Sequence, residues 1–201
     1  MRHGQTDANA NLIIQGGGLD LDLNTNGINQ ATAAANYLSK TKFDLAFASD
    51  LIRAVNTAKI VLQKQNIKAI ETKTILRERA YGELEGKPVS DHITICRELG
   101  IHPTQYKPVG GESWLDVRVR AANFLSELAL TIHTNQPKNI LVVAHGGFNR
   151  ALITQLLGHK IEQTYEVEQE NCCINHLTSD SSSFVVTEIN IIEHLKNVDL
   201  D

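Results

Sequence analysis

Short apolar runs rich in β-branched residues alternate along this chain with segments of helical period. That alternation confines it to one class of fold. Val142-Val143, Val185-Val186 and Leu45-Ala46-Phe47-Ala48 read as strands. The alanine-rich segment Asn29 to Lys40 reads as a helix. So does Leu51 to Gln65, with apolar residues at 51, 52, 55, 58, 61 and 62. Ser113 to His133 is the longest helical pattern. Ser113 with Asp116 three residues on is a capping-box variant at its start, just after the Gly110-Gly111 turn. Strands alternating with helices predict an α/β fold: a three-layer sandwich with a mostly parallel central sheet flanked by helices. The 201 residues suffice for one domain with a real core, spanning 1–201.

In such sheets ligands bind where strand ends lead into helix N-termini. Two places have that layout. Ala48-Ser49-Asp50 runs into the helix carrying Arg53, and Val143-Ala144-His145-Gly146 runs into the helix carrying Arg150. The chain itself opens directly on Arg2-His3-Gly4. A catalytic histidine there calls for a strand ahead of it to hold it. Either the gene starts further upstream, or the fold holds His3 without that strand. Thr178 to Ser183 reads as a polar loop.

Composition narrows the chemistry. The formal net charge of −4 leaves no basic excess for a nucleic acid. No apolar run approaches the roughly 18 residues of a membrane helix. No apolar stretch follows Met1, so no signal peptide is expected. Three cysteines, two of them the adjacent pair Cys172 and Cys173, give neither a disulfide framework nor a CxxC spacing. A reducing cytoplasm is expected. Gly16-Gly17-Gly18 lacks the Gly-Lys-Ser/Thr of a P-loop, and neither a G-x-S-x-G elbow nor an H-E-x-x-H pattern occurs. Asp20 and Asp22 read as part of an exposed loop with turn-like Asn24-Thr25-Asn26-Gly27, not as a metal site.

What remains is arginine and histidine at loop positions: Arg2, His3, Arg53 and His145. Arginine offers a planar fork matched to phosphate oxygens. Histidine can act as nucleophile, base or donor near neutral pH. Glycines beside the histidines allow close backbone approach to an anion. Together they describe a phosphate pocket with a nucleophilic imidazole.

The order of motifs resembles the histidine phosphatase superfamily, the phosphoglycerate mutase-like family. Its Arg-His-Gly-x-Thr-x-x-Asn signature stands as Arg2-His3-Gly4-Gln5-Thr6-Asp7-Ala8-Asn9. Gln15-Gly16 and Gly27, with Gln30-Ala31, match its glycine loop. Ser49-Asp50-Leu51-Ile52-Arg53-Ala54, with Thr57-Ala58, matches its second arginine motif. Leu76-Arg77-Glu78-Arg79, with Tyr81-Gly82 and Glu85-Gly86, matches its acid motif. Gly110-Gly111-Glu112-Ser113 and Val142-Val143-Ala144-His145-Gly146-Gly147 complete the series.

The resemblance implies roles. His3 would attack phosphorus and become a phosphohistidine. It must be neutral to do so, and Arg2 and Arg53 should lower its pKa. Arg2, Arg53 and His145 would clamp the phosphoryl oxygens, with Asn9, Gln15, Gly16 and the Gly146 N–H as further substrate contacts. Glu78 would give a proton to the leaving oxygen, which requires burial or neighbouring carboxylates to raise its pKa. In an extended segment Arg77 and Arg79 would point away from it. Glu83 is the second candidate donor, and Glu112 a brace. No metal or other cofactor is implied, because the arginines supply the positive charge. The partner expected is a small phosphorylated metabolite, with no nucleic acid and no membrane; the oligomeric state stays open.

The stretch Ile13 to Asp20 and the acid motif look most like fructose-2,6-bisphosphatase-type members. Asp22 departs from a proline common at that place. The short span from Gly86 to Gly110 favours hydrolysis over phosphoglycerate mutase activity, which stays an alternative, as does a non-catalytic phosphoryl-binding member. A lid-like insertion around 87–110 is expected to set substrate choice. The other histidines are expected to be structural, and Trp114 a packing anchor.

Overall fold

A computed structural model describes residues 1–67, 69–179, 183–196 and 198. In chain order the elements are α1 (Asp7–Ala10), α2 (Thr25–Tyr37), β1 (Leu45–Ser49), α3 (Ile52–Leu62), β2 (Glu71–Lys73), α4 (Val89–Glu98), α5 (Trp114–Asn135), β3 (Ile140–Val143), α6 (Gly146–Leu156), β4 (Ile174–Ser179) and β5 (Phe184–Ile191). β2, β1 and β3 form a parallel sheet in that order, with Phe47 opposite Glu71 on one side and Val142 on the other.

Side chains alternate across a strand, and here the alternation builds two cores. Ala46 and Ala48 of β1 and Leu141 and Val143 of β3 meet Ala31 and Ala34 of α2 and Ala54 and Ala58 of α3. Phe47, Ile140 and Val142 face the other way, against Val117, Ala121 and Phe124 of α5 and Phe148 and Leu152 of α6. The small residues on the first face let α2 and α3 lie close to the sheet. Three layers result, as expected from the alternation.

Val185-Val186 is a strand as read, and two other readings need correction, the loop at Thr178 to Ser183 and the turn at Asn24 to Gly27. The strand at Val185-Val186 lies outside the parallel sheet: β5 pairs with β4 in a separate antiparallel pair. Thr178 and Ser179 end β4 instead of belonging to a loop, and residues 180–182 lie outside the described residues. The segment Asn24 to Gly27 is also more than a turn. The Asn24 side chain accepts the Gly27 N–H at 2.8 Å and caps α2, so the helix begins at Thr25, four residues before the alanine pattern. Gly27 is required there, because a Cβ would stand 2.1 Å from the Gln5 carbonyl oxygen. At α5 the capping box of Ser113 and Asp116 forms as read. Lys107 and the Ser113 donors lower the Asp116 carboxyl to about 2. Trp114 is buried beneath Tyr165, a packing anchor as expected.

The first three residues supply their own support. Arg2 makes a parallel bridge with Ala144, just past β3. His3 N–H donates to the Ala144 carbonyl at 3.0 Å, and Ala144 N–H donates to that of Met1 at 3.0 Å. On the other side Arg2 N–H donates to Cys173 O and Cys172 N–H to His3 O, both at 3.1 Å. His3 therefore sits in extended backbone bonded on both edges.

Candidate active site

The two histidines arrive from adjacent backbone. His3 lies at the end of the bridged opening segment, and His145 is the last residue before α6. Their ring centroids are 5.0 Å apart with the planes tilted at 60°. Both are buried.

The His3 tautomer follows from one contact. Nδ1 lies 2.7 Å from the Gly4 carbonyl oxygen. A carbonyl only accepts, so the proton is on Nδ1 and Nε2 keeps its lone pair. Burial, then the Arg53 and Arg2 guanidiniums, hold the His3 pKa well below its ordinary 6.5; the bond to Gly4 opposes them. Burial comes first there, ahead of the arginines anticipated from the sequence. His145 is held down in the same way by burial, Arg53, His3 and Arg2.

The arginines are fixed by carbonyls, not by carboxylates. Arg53 Nη1 donates to Leu19 O at 2.8 Å and Nη2 to Gly16 O at 2.9 Å. Arg2 Nη1 donates to Gln169 O. Burial lowers the pKa of both. Among the described residues, the Nε atoms of Arg2 and Arg53 and both ring nitrogens of His145 are buried without a hydrogen-bond partner. Such orphans are rare in folded proteins and ask for a ligand. Several nitrogens with two positive charges, all enclosed, fit a polyoxygen dianion.

Glu78 faces this cluster across the start of α6. Its Oε2 accepts Gly147 N–H at 3.0 Å, and its Oε1 accepts Phe148 N–H at 3.1 Å and Arg79 N–H at 2.8 Å. The neighbouring carboxylates expected to make it an acid are absent from this bonding set. Arg77 turns away to Asp50, at 2.6 and 2.8 Å, and Arg79 to the carbonyls of Glu112 and Tyr106, as the extended reading requires. Glu112 braces the segment: it accepts Ala80 N–H at 2.9 Å and a forked pair from Arg120 at 2.8 and 3.0 Å. Arg120 also donates to the carbonyls of Ile75 and Arg77, so the backbone on both sides of the acid is tied down.

Glu83 is exposed on a short turn and does not join the cluster. Glu85 is the neighbour that turns inward. Its Oε1 accepts Gly17 N–H at 3.1 Å and Tyr81 N–H at 2.9 Å, and Cβ atoms on Gly16 or Gly18 would collide with it. Sequence reasoning named Glu85 in the acid motif without giving it a role, and missed Arg120. A three-glycine run packed against something was the available signal for Glu85; Arg120 left none, looking like any arginine on a helix.

The remaining predicted contacts separate. Asn9 caps its own turn with Oδ1, which accepts Thr6 N–H and Oγ1–H at 3.1 Å each. Gly146 lies beside Arg2, where a Cβ would stand 3.3 Å from Arg2 Nε. Gly16 offers its carbonyl to Arg53. Gln15 is buried with Oε1 unpartnered. Asp20 and Asp22 are engaged elsewhere: Asp20 caps α3 through Ile52 N–H at 2.7 Å, and Asp22 accepts from Asn56 at 2.7 Å.

The chain matches the family model of the histidine phosphatase superfamily (branch 1) over residues 1–192. It is 39% identical over 132 residues to the fructose-2,6-bisphosphatase TIGAR of Xenopus tropicalis, covering 64% of this chain and 48% of that one. It is 35% identical over 173 residues to a glucosyl-3-phosphoglycerate phosphatase of Mycolicibacterium vanbaalenii, covering 81% of this chain and 74% of the other. The chain spans about half the length of the Xenopus and mouse bisphosphatases that it matches. Among solved structures, a mycobacterial glucosyl-3-phosphoglycerate phosphatase in complex with VO3 superposes with a TM-score of 0.82. The identity is 31%, covering 94% of this chain and 96% of that one.

Proposed function

The chain belongs to the histidine phosphatase superfamily, and we propose that it is a phosphomonoesterase that works through a phosphohistidine on His3. The observation that carries the reading is the His3 tautomer. Nδ1–H is engaged by Gly4 and Nε2 presents a lone pair, in a ring kept neutral by burial and two guanidiniums. Nε2 attacks phosphorus, the bond to the leaving oxygen breaks, and that oxygen takes a proton from Glu78. Water then attacks the phosphohistidine, returns a proton to Glu78, and the P–N bond breaks to release phosphate. Arg2, Arg53 and His145, with Asn9 and the Gly146 N–H, offset the charge that develops on the equatorial oxygens. Gln15 and Gly16 belong to the loop that holds Arg53. The arginines fill the electrostatic role that a metal ion fills in other phosphatases.

The substrate class is a small phosphorylated metabolite, a sugar phosphate or bisphosphate such as fructose 2,6-bisphosphate. Its support is the wording of the relatives' names: a fructose-2,6-bisphosphatase and a glucosyl-3-phosphoglycerate phosphatase. We read residues 1–201 as one domain with a lid around 87–110. Arg79 reaches Tyr106 O at 2.7 Å, and Glu83 N–H reaches Val109 O at 3.1 Å, so the far end of that segment is pinned beside the acid loop. Among the described residues no helix is long and apolar enough to cross a membrane. The three cysteines are free and buried, in keeping with a reducing cytoplasm.

The test is phosphate release from p-nitrophenyl phosphate and a panel of sugar phosphates and phosphoglycerates, with EDTA present, for the wild type and His3→Ala. Turnover that disappears in the variant supports the reading. Interconversion of phosphoglycerates without phosphate release would replace it with a mutase. Binding of phosphate without any turnover would replace it with a non-catalytic member.

A further inference from the structure

Asn171 lies just ahead of β4, and its side-chain nitrogen touches two residues of the site at once. Nδ2 donates to the His3 carbonyl at 3.2 Å and to Asn9 Oδ1 at 3.3 Å. Neither amide orientation is arbitrary. The His3 carbonyl only accepts, so the Asn171 end that faces it is the nitrogen. The Thr6 backbone N–H only donates, so the Asn9 end that faces it, at 3.1 Å, is the oxygen. Asn9 Oδ1 thus collects Thr6 N–H, Thr6 Oγ1–H and Asn171 Nδ2–H, all three donors. An amide with its oxygen so committed turns its nitrogen the opposite way, as a donor with no protein acceptor bonded to it among the described residues.

The backbone beside Asn171 is shaped for this reach. Cys172 has a φ of +59°, the left-handed region that residues other than glycine seldom enter. Its N–H donates to the same His3 carbonyl at 3.1 Å. Two donors from consecutive residues therefore converge on the peptide oxygen of His3.

We propose that Asn171 is a positioning residue that locks the Asn9 amide with its nitrogen toward the phosphoryl pocket. The proposal rests on the phosphoryl-pocket reading above. Asn171 touches no substrate; it acts through Asn9. Exchanging it for aspartate keeps the shape and replaces the donor by an acceptor. Asn9 would then rotate to offer its nitrogen to Asp, and its oxygen would face the phosphoryl group.

The experiment measures inorganic phosphate as a competitive inhibitor of p-nitrophenyl phosphate hydrolysis, together with KM and kcat. The variants are Asn171→Asp and Asn171→Ala, each made in the wild type and in Asn9→Ala. In the wild type, Asn171→Asp should raise Ki and KM about tenfold or more, with kcat changed less. Asn171→Ala should raise them several-fold. In the Asn9→Ala background both changes should shrink severalfold, because the group they act through is gone; what remains is the loss of the bond to the His3 carbonyl, which does not pass through Asn9. Equal effects in the two backgrounds would overturn the proposal, since they would mark simple charge repulsion or general loosening. If Asn171→Asp does not fold, Asn171→Ala in the two backgrounds reads the same coupling. A wild type that binds no phosphate would sink the pocket reading and this inference together. A wild type that binds it, with no coupling between Asn171 and Asn9, would sink this inference alone.

Discussion

Glu78 Oε2 lies 3.0 Å from the amide nitrogen of Gly147, so the candidate acid seals the N-terminus of α6 beside the two histidines. The contact tolerates no side chain at 147: a Cβ there would stand 2.4 Å from Glu78 Oε1. Gly147→Ala should therefore push the carboxyl off its place, although alanine suits a helix better than glycine by about 1 kcal/mol. We expect kcat/KM to fall about 10- to 100-fold for an alkyl phosphate and much less for p-nitrophenyl phosphate, whose leaving group needs little protonation. Equal losses on both substrates would remove Glu78 from the proton-donor role.

The two buried histidines make stability depend on pH. Each has a folded-state pKa well below the ordinary 6.5, so between those values the unfolded chain binds more protons. Their contribution is complete above about pH 6.5 and declines as pH is lowered. The thermal midpoint of the free protein should drop between pH 7.5 and pH 5. The drop should be smaller in His145→Gln. A wild type and variant with parallel pH profiles would contradict the protonation state assigned here.

Glu85 is predicted to act on phosphate binding from a distance. It holds Gly17, and the same loop offers the Gly16 and Leu19 carbonyls that aim Arg53. Glu85→Ala should raise KM about tenfold and destabilise by about 1–3 kcal/mol, as for a buried hydrogen bond left half-made. Glu85→Gln, which still has an acceptor oxygen, should lose less of both. Steady-state kinetics and urea unfolding would show whether the two variants separate; if they do not, the acceptor is not what matters.

Arg120→Lys tests the brace behind the acid. Lysine keeps the charge but cannot fork onto Glu112 and also reach the Ile75 and Arg77 carbonyls. We expect kcat to fall about tenfold with KM nearly unchanged, because the phosphoryl clamp is untouched while Glu78 loses its mounting. A KM effect larger than the kcat effect would show that Arg120 belongs to substrate binding instead.

Much of this was legible in the sequence, for identifiable reasons. Phe47 between Ala46 and Ala48 announces a strand buried on both faces, and Ser113 with Asp116 announces a helix start, because both signals are local. Arg2, His3, Arg53 and His145 are legible through their neighbours, the glycines and strand ends that let a backbone approach an anion. What stayed hidden depends on which residue meets which across the fold. Nothing near Asn24 shows that it is a helix cap in place of a turn. Nothing near Glu85 tells that its carboxylate, and not that of Glu83, points inward. Val185-Val186 reads as a strand but carries no sign of which partner it takes. For Glu78 the expectation was burial or neighbouring carboxylates; its oxygens meet the backbone N–H groups of Arg79, Gly147 and Phe148, which no side-chain pattern encodes.

His3 is gripped by two parts of the chain made long after it: Ala144, and the Asn171–Cys172 turn, 168 residues away at the Asn171 contact. Closing loops of that length costs entropy before any contact compensates for it, so these pairings come late in folding. Until those later segments have docked, His3 lacks the backbone partners on both of its edges. The candidate site would then be completed late, when the Asn171–Cys172 turn has docked. A chain clipped ahead of Asn171 would keep Arg2 and Arg53 but lose one of the two edges that hold His3.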